Sequence, residues 1–214
     1  MDRSAVKLYF AGMDQAMSSY KYMPLKTDNV FGTFFYASTS SRMLQMLDKA
    51  GHTGIRTIDS GAHSFFGCAG ISTQSHHNSK KDKGVLMPEP NEYMMEYLVW
   101  LKRHYHLFDY FVELDIQAIV GMEKVRYWRR RLEREGLWDK CIPCLHSCDS
   151  PAQWDETIHS AASKYVGFEG LRNRKVNIPY MRLLRQCYNL GVRVHGFALT
   201  NGEILEQYPF WSAD

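Results

Sequence analysis

Eight short apolar runs, separated by stretches of helical periodicity, constrain the fold of this chain more than any other feature. The runs occupy residues 7–12, 32–38, 56–61, 110–116, 141–147, 165–170, 193–199 and 210–214. Most are nearly continuous in Val, Ile, Leu, Phe or Tyr, as strands buried on both faces tend to be. Strands alternating with helices imply parallel βαβ units, and eight of them favour a closed barrel over an open sheet. The expected fold class is α/β, a (β/α)8 barrel forming a single domain over residues 1–214. The chain stops at Asp214, where a barrel of this type ordinarily continues into a helix. A barrel without its final helix is expected, completed by a second copy of the chain or by a different one.

The intervening segments carry helix signals. Met43, Met46, Leu47 and Ala50 follow Ser41, and Met94, Tyr97, Leu98, Leu101 and Tyr105 follow Asn91 at helical spacing. Met122, Val125, Arg129 and Leu132 mark a third helix with a basic outer side. Ser150-Pro151 is a cap followed by proline at the first helical position. Asn177 precedes a stripe of Met181, Leu184, Cys187 and Tyr188, and Thr200-Asn-Gly-Glu203 is similar to a capping box. Residues 62–109 separate the third and fourth runs, and the surplus lies in a polar, basic stretch at about 67–90. A loop that long in a compact domain is functional or disordered.

Composition narrows the setting. At 45% hydrophobic and 23% charged residues the chain has the makings of a core, and a net charge of +3 does not demand nucleic acid. No apolar run is long enough to span a membrane, and the N-terminus lacks the signature of an export signal. The five cysteines, at 68, 141, 144, 148 and 187, fit reduced thiols in a cytoplasmic compartment. Cys141, Cys144, His146 and Cys148 are ligand types for zinc. An extended strand, however, would turn Cys141 away from the other three, so buried thiols and no metal are expected.

Acidic or polar side chains recur at the C-terminal ends of the runs: Asp59, Asp115, His146, Glu169, His195 and Asp214. In α/β barrels the active site lies at those ends. Carboxylates converging in a poorly solvated pocket push one another's proton affinities apart and can supply an acid and a nucleophile together. The alternative is that each caps a helix or pairs with an arginine. Two basic clusters offer phosphate contacts or merely solvated faces: Lys80, Lys81 and Lys83 in the long loop, and Arg129, Arg130 and Arg131 with Arg134 on a helix.

Four segments in order carry a family resemblance. IDSGAHSFF (58–66), VELDI (112–116), YVGFEGL (165–171) and VHGFALTNGEILEQYPFWSAD (194–214) resemble motifs of the guanine transglycosylases, closest to their phage and DNA-modification branches. Those enzymes exchange guanine in tRNA or DNA for a 7-deazaguanine, as in queuosine formation. The resemblance implies Asp214 as the nucleophile on the ribose C1′ and Asp59 as the acid/base on the departing and entering bases. It implies Asp115 as acceptor for the guanine N1–H and amine, with Gly167 and Gly170 on the opposite edge. His146, Glu169, His195, Gly196, Ser60 and Gly61 would line the base, and Phe65 or Phe66 would stack on it. No cofactor is implied. His63 replaces the family's phenylalanine, and Glu169 stands where the motif has glycine. Two other functions are compatible with the same residues: a barrel hydrolase or lyase acting on a small molecule, and a non-catalytic accessory subunit.

Overall fold

The computed structural model describes residues 6–11, 29–37, 47–48, 53–62, 89–169 and 180–214. The expected positions Phe65, Phe66, Lys80, Lys81, Lys83 and Gly170, the long loop and the helix starts at Ser41 and Asn177 lie outside them.

Nine strand segments form one parallel sheet that curls into a nearly closed barrel. They are β1 (Lys7–Ala11), β2 (Asn29–Thr33), β3 (Arg56–Asp59), β4 (Tyr110–Val112), β5 (Cys141–Ile142), β6 (Cys144–Leu145), β7 (Tyr165–Glu169), β8 (Arg193–Phe197) and β9 (Ser212–Ala213). Their order is β5-β4-β3-β2-β1-β9-β8-β7-β6. The last strand thus slots between the first and the eighth, pairing Lys7 with Ser212 and His195 with Ser212.

The two ends of the sheet meet at Pro143, the single residue between β5 and β6. Proline has no N–H to give a ladder. Its carbonyl accepts from Gly167 N at 2.9 Å, while Ile142 O accepts from Glu113 N at 3.1 Å, so the chain passes from one neighbour to the other within two residues. The Cys144 N–H is taken up by the Glu113 carboxylate at 2.6 Å. The expected strand over 141–147 is therefore two short segments.

A second difference concerns the aromatic run at 32–38. The strand ends at Thr33, and α1 (Phe34–Ala37) follows at once. Phe34 leaves the sheet to pack against Tyr93, Tyr97 and Trp100 of α2 (Pro90–Arg103). An unbroken aromatic run has no period that would reveal such an exit. The fourth run is likewise shorter than expected, and Asp115 sits beyond its strand.

Outside the barrel, α3 (Gln117–Val120), α4 (Met122–Arg134), α5 (Pro151–Ser160), α6 (Tyr180–Asn189) and α7 (Gly202–Gln207) complete the described helices. Ser150 and Gln153 form the capping box at the start of α5. At α7 the capping side chain is Asn201 rather than Thr200. The outward faces of the strands and the helices over them make two outer cores, one over β2 to β5 around Tyr97, Leu101, Phe111 and Leu132, the other over β6 to β9 around Ile158, Val166, Leu183 and Val194. Tyr9, Phe31, Val112 and Cys144 fill the barrel interior. Its N-terminal end is stoppered by Arg193, which lies over the rings of Tyr110, Tyr165 and Trp211 and donates to Tyr110 OH at 2.7 Å. No helix among the described residues is long and apolar enough to cross a membrane.

Candidate functional site: an acidic rim

Parallel strands bring their C-terminal ends to one rim, so Asp59, Asp115, His146, Glu169 and Asp214 are neighbours by topology. Asp59 ends β3, and its Oδ2 accepts from Gly61 N at 2.9 Å. Gly61 has φ +76°, and a Cβ there would lie 2.8 Å from Phe35 Cβ and 2.9 Å from Tyr93 OH. Only glycine fits this turn. Ser60 is fully buried, and its carbonyl accepts from Tyr93 OH at 2.6 Å, so Ser60 builds the turn from beneath.

Burial pushes the Asp59 carboxyl up to about 6, and the charges of Asp214 and Asp115 add to the rise against the lowering effect of the Gly61 N–H. The carboxylates beyond β4 and at the end of β9 thus both reach the one that ends β3.

Asp214 Oδ1 accepts from Ala198 N at 2.9 Å and sits 3.1 Å from His195 Nε2. Both hydrogen bonds to this carboxylate among the described residues fall on Oδ1, and the side chain is 15% exposed. Asp115 Oδ1 lies 2.7 Å from His146 Nε2, with about a third of the Asp115 side chain open to solvent. Burial alone would lower the affinity of His146 for its proton. The Asp115 charge and hydrogen bond, with Asp149 behind them, overcome this and raise it to about 11. His146 N and Gln117 Nε2 also donate to Asp149, at 2.8 and 2.7 Å. His146 is thus an imidazolium that clamps Asp115 from one side.

The sign of this effect is testable. A histidine whose affinity is raised on folding adds stability below its unfolded pKa of about 6.5, and that stability is lost as pH climbs toward 11. The unfolding free energy lost in His146→Gln should be largest near pH 6 and shrink steadily to pH 10, as read by denaturant titration. A difference independent of pH would remove the charge from this account.

Several expected base contacts are otherwise engaged. Glu169 Oε1 accepts from Ser147 N at 2.8 Å and Ser147 Oγ at 2.5 Å, so Glu169 ties β7 to the turn after β6. His195 is turned into the barrel and is 1% exposed, with its ring nitrogens on Ser212 and Asp214. Gly167 lies under Phe197: a Cβ would stand 2.0 Å from Phe197 Cε2. Gly196 is covered by Leu199, whose Cδ2 would be 2.6 Å from an added Cβ. These two glycines serve packing. Gly167→Ala should cost about 1–3 kcal/mol in thermal unfolding, with part regained in Gly167→Ala/Phe197→Leu; no recovery would place the fault in the backbone.

Arg129 departs furthest from expectation. Its side chain is buried, donating to both oxygens of Glu113 at 2.8 and 2.6 Å and to Thr157 Oγ1 at 2.9 Å. It holds no surface for phosphate, because the α4 stripe that packs on the barrel includes it. Arg130 remains exposed. Cys141 and Cys144 are buried thiols whose proton affinities burial raises, and Cys148 is exposed. Ser147, Asp149 and Ser212 join the site as partners whose only mark in the sequence is a small polar residue in or beside an apolar run.

Fold and rim together define a parallel α/β barrel with an acidic C-terminal mouth. Compared with family models, with curated proteins and with solved structures, the chain gives no match.

Proposed function

We propose that the chain is a guanine transglycosylase-like enzyme on a (β/α)8 barrel, with β5 and β6 counted as one strand interrupted at Pro143. The observation that carries the reading is that the charges of Asp115 and Asp214 both reach Asp59 at the end of β3, and these are the three residues that the motif resemblance puts in chemical roles. Asp214 attacks C1′ of the target nucleotide through Oδ2, forming a C1′–O bond as the C1′–N9 bond breaks. Asp59, with its proton affinity raised toward neutrality, gives the departing guanine its proton. The incoming 7-deazaguanine then loses its N9 proton to Asp59 as N9 displaces Asp214 from C1′. Asp115, oriented by the His146 imidazolium, accepts from the guanine N1–H and amine, which are both donors. The target nucleotide has to leave its stack to reach this mouth. The partners of the reaction are a tRNA or DNA and the two bases, in the cytoplasm.

The test is incubation with labelled guanine and either tRNA or DNA, followed by counting label retained in nucleic acid. Retention in one of the two supports the reading and identifies the substrate. No retention with either, alongside metal-dependent hydrolysis of a small ester, would transfer the rim to a different enzyme class.

A further inference from the structure

A buried chain of polar groups runs from the barrel interior to the rim. Tyr165 OH lies 2.5 Å from Ser212 Oγ, Ser212 Oγ lies 2.8 Å from His195 Nδ1, and His195 Nε2 lies 3.1 Å from Asp214 Oδ1. The imidazole is enclosed by aromatic rings: Phe31 stacks on it at 5.5 Å, and Tyr9, Phe197 and Tyr165 meet it edge-on. Ser212 is fully buried.

Placing the protons gives the chain a direction. An ionised carboxylate only accepts, so His195 Nε2 carries a hydrogen toward Asp214. With the Tyr165 hydroxyl donating to Ser212 Oγ, the Ser212 proton has Nδ1 as its acceptor. The donors of Tyr165, Ser212 and His195 Nε2 are all satisfied in this arrangement. The reverse placement, with a proton on Nδ1 given to Ser212, would send the Ser212 proton to Tyr165 and turn the Tyr165 proton toward the Tyr9 hydroxyl.

We propose that His195 is a positioning residue for Asp214: its neutral ring, oriented by Ser212 and Tyr165 with the proton on Nε2, holds Oδ1 and leaves Oδ2 to attack the sugar carbon. The role of Oδ2 rests on the base-exchange reading, whereas the tautomer and the holding contact rest on geometry alone. Ala198 supplies the second donor. Its φ of +49°, in the turn after β8, belongs to the bend that presents its N–H to the same oxygen. Two donors on one oxygen stop the carboxylate from rotating, and misplacing a reacting atom by about 1 Å costs on the order of 100-fold in rate.

His195→Phe fills the aromatic cage without an N–H, His195→Gln restores an amide donor, and Ser212→Ala removes the group that sets the tautomer. In the guanine-exchange assay, kcat should fall about 100-fold in His195→Phe with KM for guanine within about twofold. Part of the loss should return in His195→Gln. Unchanged kcat in His195→Phe, or a loss confined to KM, overturns the proposal. Nitrogen NMR of the histidine ring gives a readout independent of activity. Wild type at pH 7 should show a proton on Nε2 alone, and Ser212→Ala a mixture of tautomers. A proton on Nδ1 in wild type, alone or with Nε2, overturns it. Should wild type exchange no guanine, the base-exchange reading fails, and the NMR result still decides whether His195 holds Asp214.

Discussion

Asp59→Asn is expected to unfold at a higher temperature than wild type at pH 8 while transferring no guanine. The two effects share one cause. Folding raises the Asp59 carboxyl from an ordinary value near 3.9 to about 6, through burial and the neighbouring charges of Asp214 and Asp115. The folded state therefore binds more protons than the unfolded one between about pH 4 and 6, and stability falls as pH rises through that window. Above it the ionised side chain costs up to about 3 kcal/mol, which the neutral amide avoids. The amide oxygen still accepts from Gly61 N, so the turn survives. Below pH 4 the two proteins should unfold alike. Exchange should drop by on the order of 10⁴-fold in Asp59→Asn and in Asp214→Asn, the size of loss seen when a member of a catalytic unit is removed. Thermal unfolding at pH 4 and pH 8, beside the labelled-guanine assay, checks both halves. Equal unfolding temperatures at pH 8 would refute the electrostatic coupling, and retained exchange would refute the catalytic roles.

Arg129→Met should be the most damaging change away from the rim. The Arg129 and Glu113 side chains are only 8% and 6% exposed. Removing one partner of a buried pair leaves an uncompensated charge and costs about 3–5 kcal/mol. Replacing both partners by apolar residues is often neutral. Here it should not be, because Glu113 also takes the Cys144 N–H where Pro143 interrupts the ladder. Arg129→Met/Glu113→Leu should thus remain destabilised by about 1–3 kcal/mol, the cost of one buried donor without an acceptor. Denaturant unfolding of the single and double variants measures this directly. A double variant as stable as wild type would show that the strand break does not need Glu113.

The same pair shows where reading the residues in order stops. Arg129 stands among Arg130, Arg131 and Arg134 and shares their chemistry. Helical spacing aligns it with Met122, Val125 and Leu132, and only the presence of Glu113 just past the end of β4 makes its burial tolerable. That partner is 16 positions away. Glu169 is a similar case: its position at a strand end is visible in the chain, but its engagement with Ser147 depends on β6 and β7 lying side by side.

Local chemistry alone determined the alternation of strands and helices, the Ser150 cap, the Asp59-Ser60-Gly61 turn and the presence of acids at strand ends. Those features depend on residues within a few positions of one another. The tertiary structure decided which acids meet, which glycines are packing floors, and that His195 faces inward to Ser212 and Asp214. It also decided that the last strand lies between the first and the eighth. The links from Ser212 to His195 and to Tyr165 span 17 and 47 positions, and β9 pairs with β1 from the opposite end of the chain. They exist only once the sheet curls round, because strand neighbours in a barrel are chosen by the whole sheet and not by the segment itself.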